Sequence, residues 1–403
     1  MAATSEHDPR LGAPAGLRLA PAPLGGAPLE APEPTLVYYD VPGESLTAAG
    51  IALRRRSEDG GAHWRLRLPA GYSCLELEAE GGWAQPPAEL LALLQAHLRR
   101  GPLEPIVEVR TRESNDVELK IELRDRGSAE IAPAASSPLE MLRGRLGVQL
   151  REIERHDPGT RLGRDPESLH DMRVAVRRLR ALLRAGRKLV AGDTTELDGR
   201  LKQLGLILGE VRDLDVLLAH LESEAAELGR EDEQEAAPLL ASLRTERSCS
   251  RSRLLAALRS EAYLALLDDT ARTIDQLEAG ESAATLDDLV DQASAKLRRA
   301  VRRLPETPED DELHAVRKKG KRARYAAELA GRAELVKRAK KLQDVLGEHQ
   351  DAVVAAERLR GLAAAAAARQ ALVAGRLVER EEERRIGARA EWPKTWRKLR
   401  ETI

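Results

Sequence analysis

The stretch LHDMRVAVRRLRALLRAG begins at Leu169, and LHAVRKKGKRARYAAELAG begins at Leu313. Both open on Leu-His, carry basic residues at matching offsets and end on Ala-Gly. The correspondence continues: RLKQLGLILGEVRDLDVLLAHL from 200 answers RAKKLQDVLGEHQDAVVAAERL from 338. There Lys202 matches Lys340, Gly209 and Glu210 match Gly347 and Glu348, and Asp213 matches Asp351. The offset falls from 144 to 138, so the second copy has the shorter turn between its two helices. Copies of this length predict a duplicated antiparallel helical bundle, mainly α, rather than a short-period solenoid.

Composition agrees with helices. Only 2% of the 403 residues are aromatic and none is Phe, so Leu and Ala must fill the core. The 65 basic and 67 acidic residues leave a net charge of -2, which points to no partner by itself. Cys74 and Cys249 are too far apart for a metal-ligand spacing or a disulfide framework. Acids at Glu6 and Asp8 argue against a signal peptide. The apolar run from Leu362 to Ala368 is too short to span a bilayer. The expectation is a cytoplasmic protein with no membrane association.

Residues 1–34 are rich in Ala, Pro and Gly and read as a flexible leader. From 35 to 131 the texture is that of a small α+β domain. TLVYYDV, IALRRR, HWRLRLP, CLELEAE and VELKIEL alternate with period two. In HWRLRLP, Trp64, Leu66 and Leu68 face one side and Arg65 and Arg67 the other. PPAELLALLQAHLRR (86–100) reads as one helix ended by Gly101. Residues 132–137 read as a linker, and 138–403 as helical, in halves of about 138–278 and 285–403. Pro158, Pro166, Pro305 and Pro308 then mark junctions, EDEQEAA near 231 an acidic break, and LEAGESAATLDD the connection between halves.

At 100° per residue, counted from His170, Arg173, Arg177, Arg180 and Arg184 fall within an arc of about 80°. Met172, Val176, Leu179 and Leu183 lie opposite. His314, Arg317, Lys321 and Arg324 occupy the same arc in the second copy, and Arg178 and Arg322 widen the two stripes. A charge run on one helix is ordinarily a solvated face. Such faces normally mix signs, and the first stripe has almost no acid near its arginines. Stacked like charges repel unless an anion sits against them. Gly205 and Gly209 share a face with Lys202, as Gly347 does with Lys340. Those glycines serve either tight helix packing or the close approach of a ligand. Asp213 and Asp351 follow on the same side, placed to orient arginines by bidentate pairing. His170 and His314 are either structural or, as cations at mildly acidic pH, additional phosphate donors. No Ser/His/Asp or Cys/His constellation accompanies them. A linear polyanion fits this pattern. Single-strand nucleic-acid binders stack bases on aromatics, and Tyr325 is the one aromatic in either stripe. A polymer made only of phosphate needs charge, fork-shaped donors and a groove.

The paired motifs resemble the two halves of a CHAD domain, the conserved-histidine α-helical domain, over about residues 137–403. The resemblance implies two pseudo-twofold-related helical halves with basic stripes facing a central groove, binding of inorganic polyphosphate, and association with polyphosphate granules. By matching positions it implies ligand contacts at His170, Arg173, Arg177, Arg178, Arg180 and Lys202, and at His314, Arg317, Lys321, Arg322, Arg324 and Lys340. Arg184, Arg212, Lys318 and Lys337 are further candidates. Gln350 stands where the first copy has Arg212, so the second half is less basic there.

LVYYDVPGESLTAAGIALRRR followed by HWRLRLPAG resembles a CYTH, or triphosphate tunnel, domain over roughly 35–125. Arg54, Arg56, Arg65 and Arg67 match its phosphate-holding positions. The strand Glu-x-Glu-x-Lys that opens that family is replaced by the Pro/Ala/Gly leader. DVELK (116–120) comes late and is either a later family strand or an ordinary one. An incomplete barrel, with no efficient triphosphate hydrolysis, is therefore expected. Activity would require Mg or Mn held by Glu76, Glu78, Glu118 and Glu122; otherwise no cofactor is expected. A protein partner of this domain is a further option on which the residues are silent.

Overall fold

A computed structural model describes residues 35–58, 61–70, 73–110, 137–280 and 285–403. The leader, the linker through 136, DVELK, Glu118 and Glu122 lie outside the described residues.

The chain forms two compact units. The first holds the N-terminal sheet together with residues 151–172. Strands β1 (Thr35–Asp40), β2 (Ala52–Glu58), β3 (Gly61–Ala70), β4 (Ser73–Gly81) and β5 (Glu104–Arg110) pair antiparallel in the order β4-β3-β2-β1-β5. Among the described residues this sheet is open, with β4 and β5 as its edges. Trp64, Leu66 and Leu68 are buried with Leu53, as the alternation of HWRLRLP predicts. Asp40 is buried and caps helix α1 (Ser45–Ala48), its carboxylate accepting from the backbone N–H of Leu46 and Thr47, each at 2.9 Å.

The single helix expected over 86–100 is two: α2 (Ala88–Leu93) and α3 (Gln95–Leu98), broken at Leu94. Leu90, Leu94, Ala96 and His97 are all buried across the two short helices. His97 Nδ1 meets Ser45 Oγ at 2.8 Å, and burial holds its pKa down to about 4, so it is a neutral core group at pH 7.

Helix α4 (Pro138–Leu162) runs through Pro158, which is therefore no junction. Proline lacks the N–H that would bond the carbonyl four residues back. That carbonyl, of Glu154, instead lies 3.1 Å from His97 Nε2, so the vacated acceptor is satisfied from outside the helix.

The second unit is helical. Its elements include α5 (Pro166–Ala185) from Arg173 onward, α6 (Thr195–Glu227), α7 (Arg230–Arg259), α8 (Glu261–Asp275), α9 (Leu286–Arg302), α10 (Asp310–Leu329), α11 (Ala333–Ala363) and α12 (Ala368–Arg400). The acidic stretch near 231 is no break. It is the first turn of α7, where carboxylates favour the exposed N–H groups, and the chain turns just before it at Gly229 (φ 104°). The basic motif recurs on α5 and α10, and the Leu-Gly-Glu motif on α6 and α11. One core packs Leu297, Leu313, Val316, Leu342 and Leu346 of the second copy. Another joins the copies: Leu214, Leu218 and Leu221 of α6 pack with Leu240 of α7, Leu359 of α11 and Leu377 of α12. This duplicated bundle, preceded by a small sheet, is the mainly helical fold that the repeat predicts.

Candidate functional site

The start of α10 is fixed before its cations are placed. Glu312 caps the helix start, its carboxylate accepting from the Glu309 N–H at 2.8 Å. Asp310 accepts from Arg385 at 2.6 Å and from Arg389, and lies 3.0 Å from His349 Nε2. These bonds tie α10 to α11 and α12.

Both stripes then follow one local rule. The Arg173 guanidinium makes a two-point bond to Asp213, at 2.7 and 3.3 Å, the bidentate pairing foreseen for that aspartate. It lies over Gly209, 3.5 Å from where a Cβ would stand. In the second copy Arg317 lies over Gly347 at 3.2 Å. The glycines therefore admit a guanidinium from the neighbouring helix. Asp351, the counterpart of Asp213, stays open to solvent but is crowded by protein. Crowding raises its pKa, Arg317 opposes that, and Glu348 and Asp213 add to it.

The two stripes feel each other's charge. Lys321 is half-buried, and its pKa is held down to about 8 by burial and then by the charges of Arg317, Arg177, Arg173 and Arg324. Arg177 is likewise pressed below its ordinary value by burial, against the influence of Tyr325, with Arg173, Arg317 and Arg324 adding to the depression. Cations from both copies thus share one electrostatic environment. Among the described residues, neither Arg177 nor Lys321 has a carboxylate at ion-pair distance. The Nε donors of Arg173, Arg177 and Arg317 are buried without a hydrogen-bond partner. Arg324 also meets Glu328 at 3.2 Å and stacks on Tyr325, 4.9 Å from the ring centre.

The remaining candidates divide. Arg180 and Arg184 both bind Asp198 near the start of α6, at 3.1 and 2.7 Å, so their charge is shared with the fold. Arg178, Lys202, Arg322, Lys318, Lys337 and Lys340 are exposed. Arg212 and His170 are half-buried on α6 and α5. His314 is half-buried, and burial followed by Lys318 and Arg317 lowers its pKa against a hydrogen bond to the side chain of Gln350. Its protonation therefore needs a lower pH than an ordinary histidine.

In the N-terminal sheet, Arg54 stands opposite Arg65, and Arg56 opposite His63. With Arg67 these arginines share the face away from Trp64. Glu76 and Glu78 of β4 sit opposite Arg67 and Arg65. Arg65 pairs with Glu78 and approaches Glu76 at 3.9 Å. Among the described residues no three His, Cys, Asp or Glu side chains gather closely enough to hold a metal ion. Of the acids on this face, Glu78 and Glu76 both approach Arg65. No described helix is long and apolar enough to cross a membrane.

Sequence reasoning missed Asp198 and the α12 arginines. Arg384 binds Glu348 at 2.6 Å and buried Glu381 at 2.5 Å, and Arg385 and Arg389 hold Asp310. Their only signal was the dense REEERR run, whose partners lie far away in sequence.

Comparison with known proteins places these features. Two curated proteins of Mycobacterium tuberculosis, MT2285 and Rv2226, both described as uncharacterized, are each 26% identical over 468 aligned positions, covering 91% of this chain and 90% of theirs. The crystal structure of the CHAD domain from the plant Ricinus communis is 27% identical, with a TM-score of 0.54, over 68% of this chain and 96% of that one. PptA from Streptomyces chartreusis shares the fold at 24% identity and a TM-score of 0.56, over 64% of this chain and 99% of its own. The CHAD domain family matches residues 144–360, more than half of the sequence and the whole span of both basic helices, and the chain belongs to that family.

Proposed function

We propose that the cation cluster shared by α5 and α10 binds inorganic polyphosphate without catalysis, and that this binding brings a cytoplasmic protein to polyphosphate granules. One observation carries the reading: Lys321 is set among Arg317, Arg177, Arg173 and Arg324, from both copies, with no carboxylate of its own. Such a cluster is costly while the charges face only each other. A string of phosphates offsets the repulsion and accepts charge-assisted hydrogen bonds from the guanidinium forks. The exposed Lys202, Lys340, Arg178 and Arg322 extend the positive track along both copies. The association of the CHAD family with polyphosphate supports the same ligand. Tyr325 is buried beneath Arg324, so it offers no platform for a base, which favours a phosphate polymer over nucleic acid.

Titration with long-chain polyphosphate, with single-stranded DNA of equal charge as competitor, tests this. The wild type should bind the polymer and DNA should compete poorly. A folded variant with Ala at 173, 177, 317 and 321 should lose binding. Equal binding by that variant, or free displacement by DNA, would overturn the proposal.

A second reading rests on Arg54, Arg56, Arg65 and Arg67 sharing one sheet face: binding, or Mg- or Mn-assisted hydrolysis, of a triphosphate. The pairing of Arg65 with Glu78 weighs against hydrolysis. Phosphate release that survives Arg173→Ala with Arg317→Ala but is lost in Arg67→Ala would establish it.

A further inference from the structure

We propose that His220 is a proton-operated lock between the two copies of the repeat, which closes as pH falls and tightens the polyanion site. The coupling to that site rests on the polyphosphate reading above.

His220 lies late on α6 of the first copy and meets α12 of the second. Its Nε2 is 2.5 Å from Oε1 of Glu381 and 2.6 Å from Nη1 of Arg384. Glu381 is buried, and its other oxygen accepts from Arg384 at 2.5 Å. Arg384 reaches on to Glu348 of α11 at 2.6 Å. Glu224, one turn further along α6, stands 4.0 Å from Nδ1 and is held, with Glu227, by Arg380 of α12. On the side of α7, Arg244 is taken by Glu222 at 2.7 Å and Glu246 by Arg358 at 2.6 Å. The ring thus stands between two carboxylates and one guanidinium.

The two copies differ at this joint. The repeat matches His220 with Arg358, and Arg358 also crosses between copies, from α11 to Glu246 of α7. It matches Glu348 with Glu210, which binds Arg253 at 2.8 Å, so Arg253 answers Arg384. Three residues before Arg253, Ser250 accepts from it at 3.0 Å; three residues before Arg384 stands Glu381. One crossing is therefore made by a guanidinium, charged at every working pH. The other is made by an imidazole against a buried carboxylate, where the first copy has a serine. A buried carboxylate is costly unless a cation faces it, and histidine is the cation that a rise in pH removes.

Nε2 has two claimants and cannot serve both at once. Bare, it accepts from Arg384; protonated, it donates to Glu381. A neutral imidazole divides between these states. The imidazolium carries a proton on each nitrogen, so Nε2 is committed to Glu381 and Nδ1 presents positive charge to Glu224. Arg384 is then confined to Glu381 and Glu348. Glu348 follows Gly347, across which Arg317 lies, and both Glu348 and Arg384 act on Asp351. Protonation thus fastens α6 to α12 and fixes an ion pair beside the cation cluster that both copies supply.

The test uses the full chain. The His220 imidazole is followed by NMR against pH, its signal assigned by loss in His220→Gln, alongside thermal melts and titrations with long-chain polyphosphate. The His220 midpoint should fall in Glu381→Gln, which keeps the shape of the side chain and removes its charge. From pH 8 to pH 6 the wild type should gain melting temperature relative to His220→Gln, because the imidazolium tightens the joint. Over the same range its polymer affinity should rise about fivefold more than that of His220→Gln, in which His170 and His314 still titrate. An unchanged midpoint in Glu381→Gln, or equal pH dependence of melting in wild type and His220→Gln, would overturn the lock. A working lock with no effect on polymer affinity would overturn its coupling to the site. A working lock in a wild type that binds no polymer would sink the polyphosphate reading and leave the lock standing.

Discussion

The guanidinium of Arg317 lies across Gly347, 3.2 Å from where a Cβ would stand, and Arg173 lies across Gly209 at 3.5 Å. The same glycine thus does the same work in both copies, with different clearance. At Gly209 an alanine methyl makes an ordinary contact, and replacing a helix-interior glycine favours the fold by about 0.5–1 kcal/mol. At Gly347 the methyl must push Arg317 aside by a few tenths of an ångström. Gly209→Ala should therefore raise the denaturation midpoint and keep polyphosphate affinity. Gly347→Ala should weaken binding with little gain in stability. Denaturant melts and polymer titrations on both variants check this, and equal effects at the two sites would contradict the geometry.

Stability and binding should move in opposite directions at Lys321. Its pKa is about 8 in the folded chain, against an ordinary 10.5. Between these values the unfolded chain holds the extra proton, so stability rises with pH across that window. Below about 8 both states are charged and the penalty is complete. Lys321→Met should then stabilise the ligand-free protein at pH 7 by on the order of 1 kcal/mol, allowing for solvent screening. Its advantage should vanish above pH 10.5, and its polymer affinity should fall at pH 7. Wild-type affinity should also drop as pH rises through 8, with proton uptake on binding near that pH. Calorimetry in buffers of different ionisation enthalpy reads the uptake directly.

Much of this site was legible from the repeat. The wheel put Arg173, Arg177, Arg317, Lys321 and Arg324 on matching arcs, and of the two aspartates expected to pair bidentately with arginines, Asp213 does so with Arg173, while no such pair is seen at Asp351. Three things were not legible, each for a physical reason. Periodicity shows which residues share a face but not what that face meets, so Asp198 could not be assigned to Arg180 and Arg184. The hold of Arg385 and Arg389 on Asp310 spans 75 and 79 residues, and no local pattern encodes such a contact. Pro158 reads as a helix boundary because proline lacks a donor. The helix continues because a distant histidine takes up the freed carbonyl.

Asp310 anchors the basic helix and should control its acid stability. Burial would raise its pKa, but the hydrogen bond and charge of Arg385, with His349 and Arg389, lower it overall from 3.8. Its contribution is therefore complete above that ordinary value and is lost as pH falls through the lower folded value. Asp310→Asn should cost about 2 kcal/mol at pH 7, because two arginines lose their shared carboxylate. The cost should disappear on acidification below the folded pKa. Thermal melts from pH 2 to 7 test this, and a cost independent of pH would show that the carboxylate charge is not what holds α10.

The arginines of the first stripe should separate by their partners. Arg177 has no carboxylate among the described residues, while Arg180 and Arg184 share Asp198 at 3.1 and 2.7 Å. A linear polyanion releases counterions for each phosphate that a free cation neutralises, so the logarithm of affinity falls with the logarithm of salt in proportion to such contacts. Arg177→Gln should lower that slope by about 1 and weaken binding at every salt concentration. Arg180→Gln removes a charge already balanced within the protein, and should leave the slope nearly unchanged while loosening the start of α6. Polymer titrations at several salt concentrations distinguish the two. Equal slopes for both variants would mean that the polymer draws Arg180 away from Asp198, and the ligand track would then run the full length of α5.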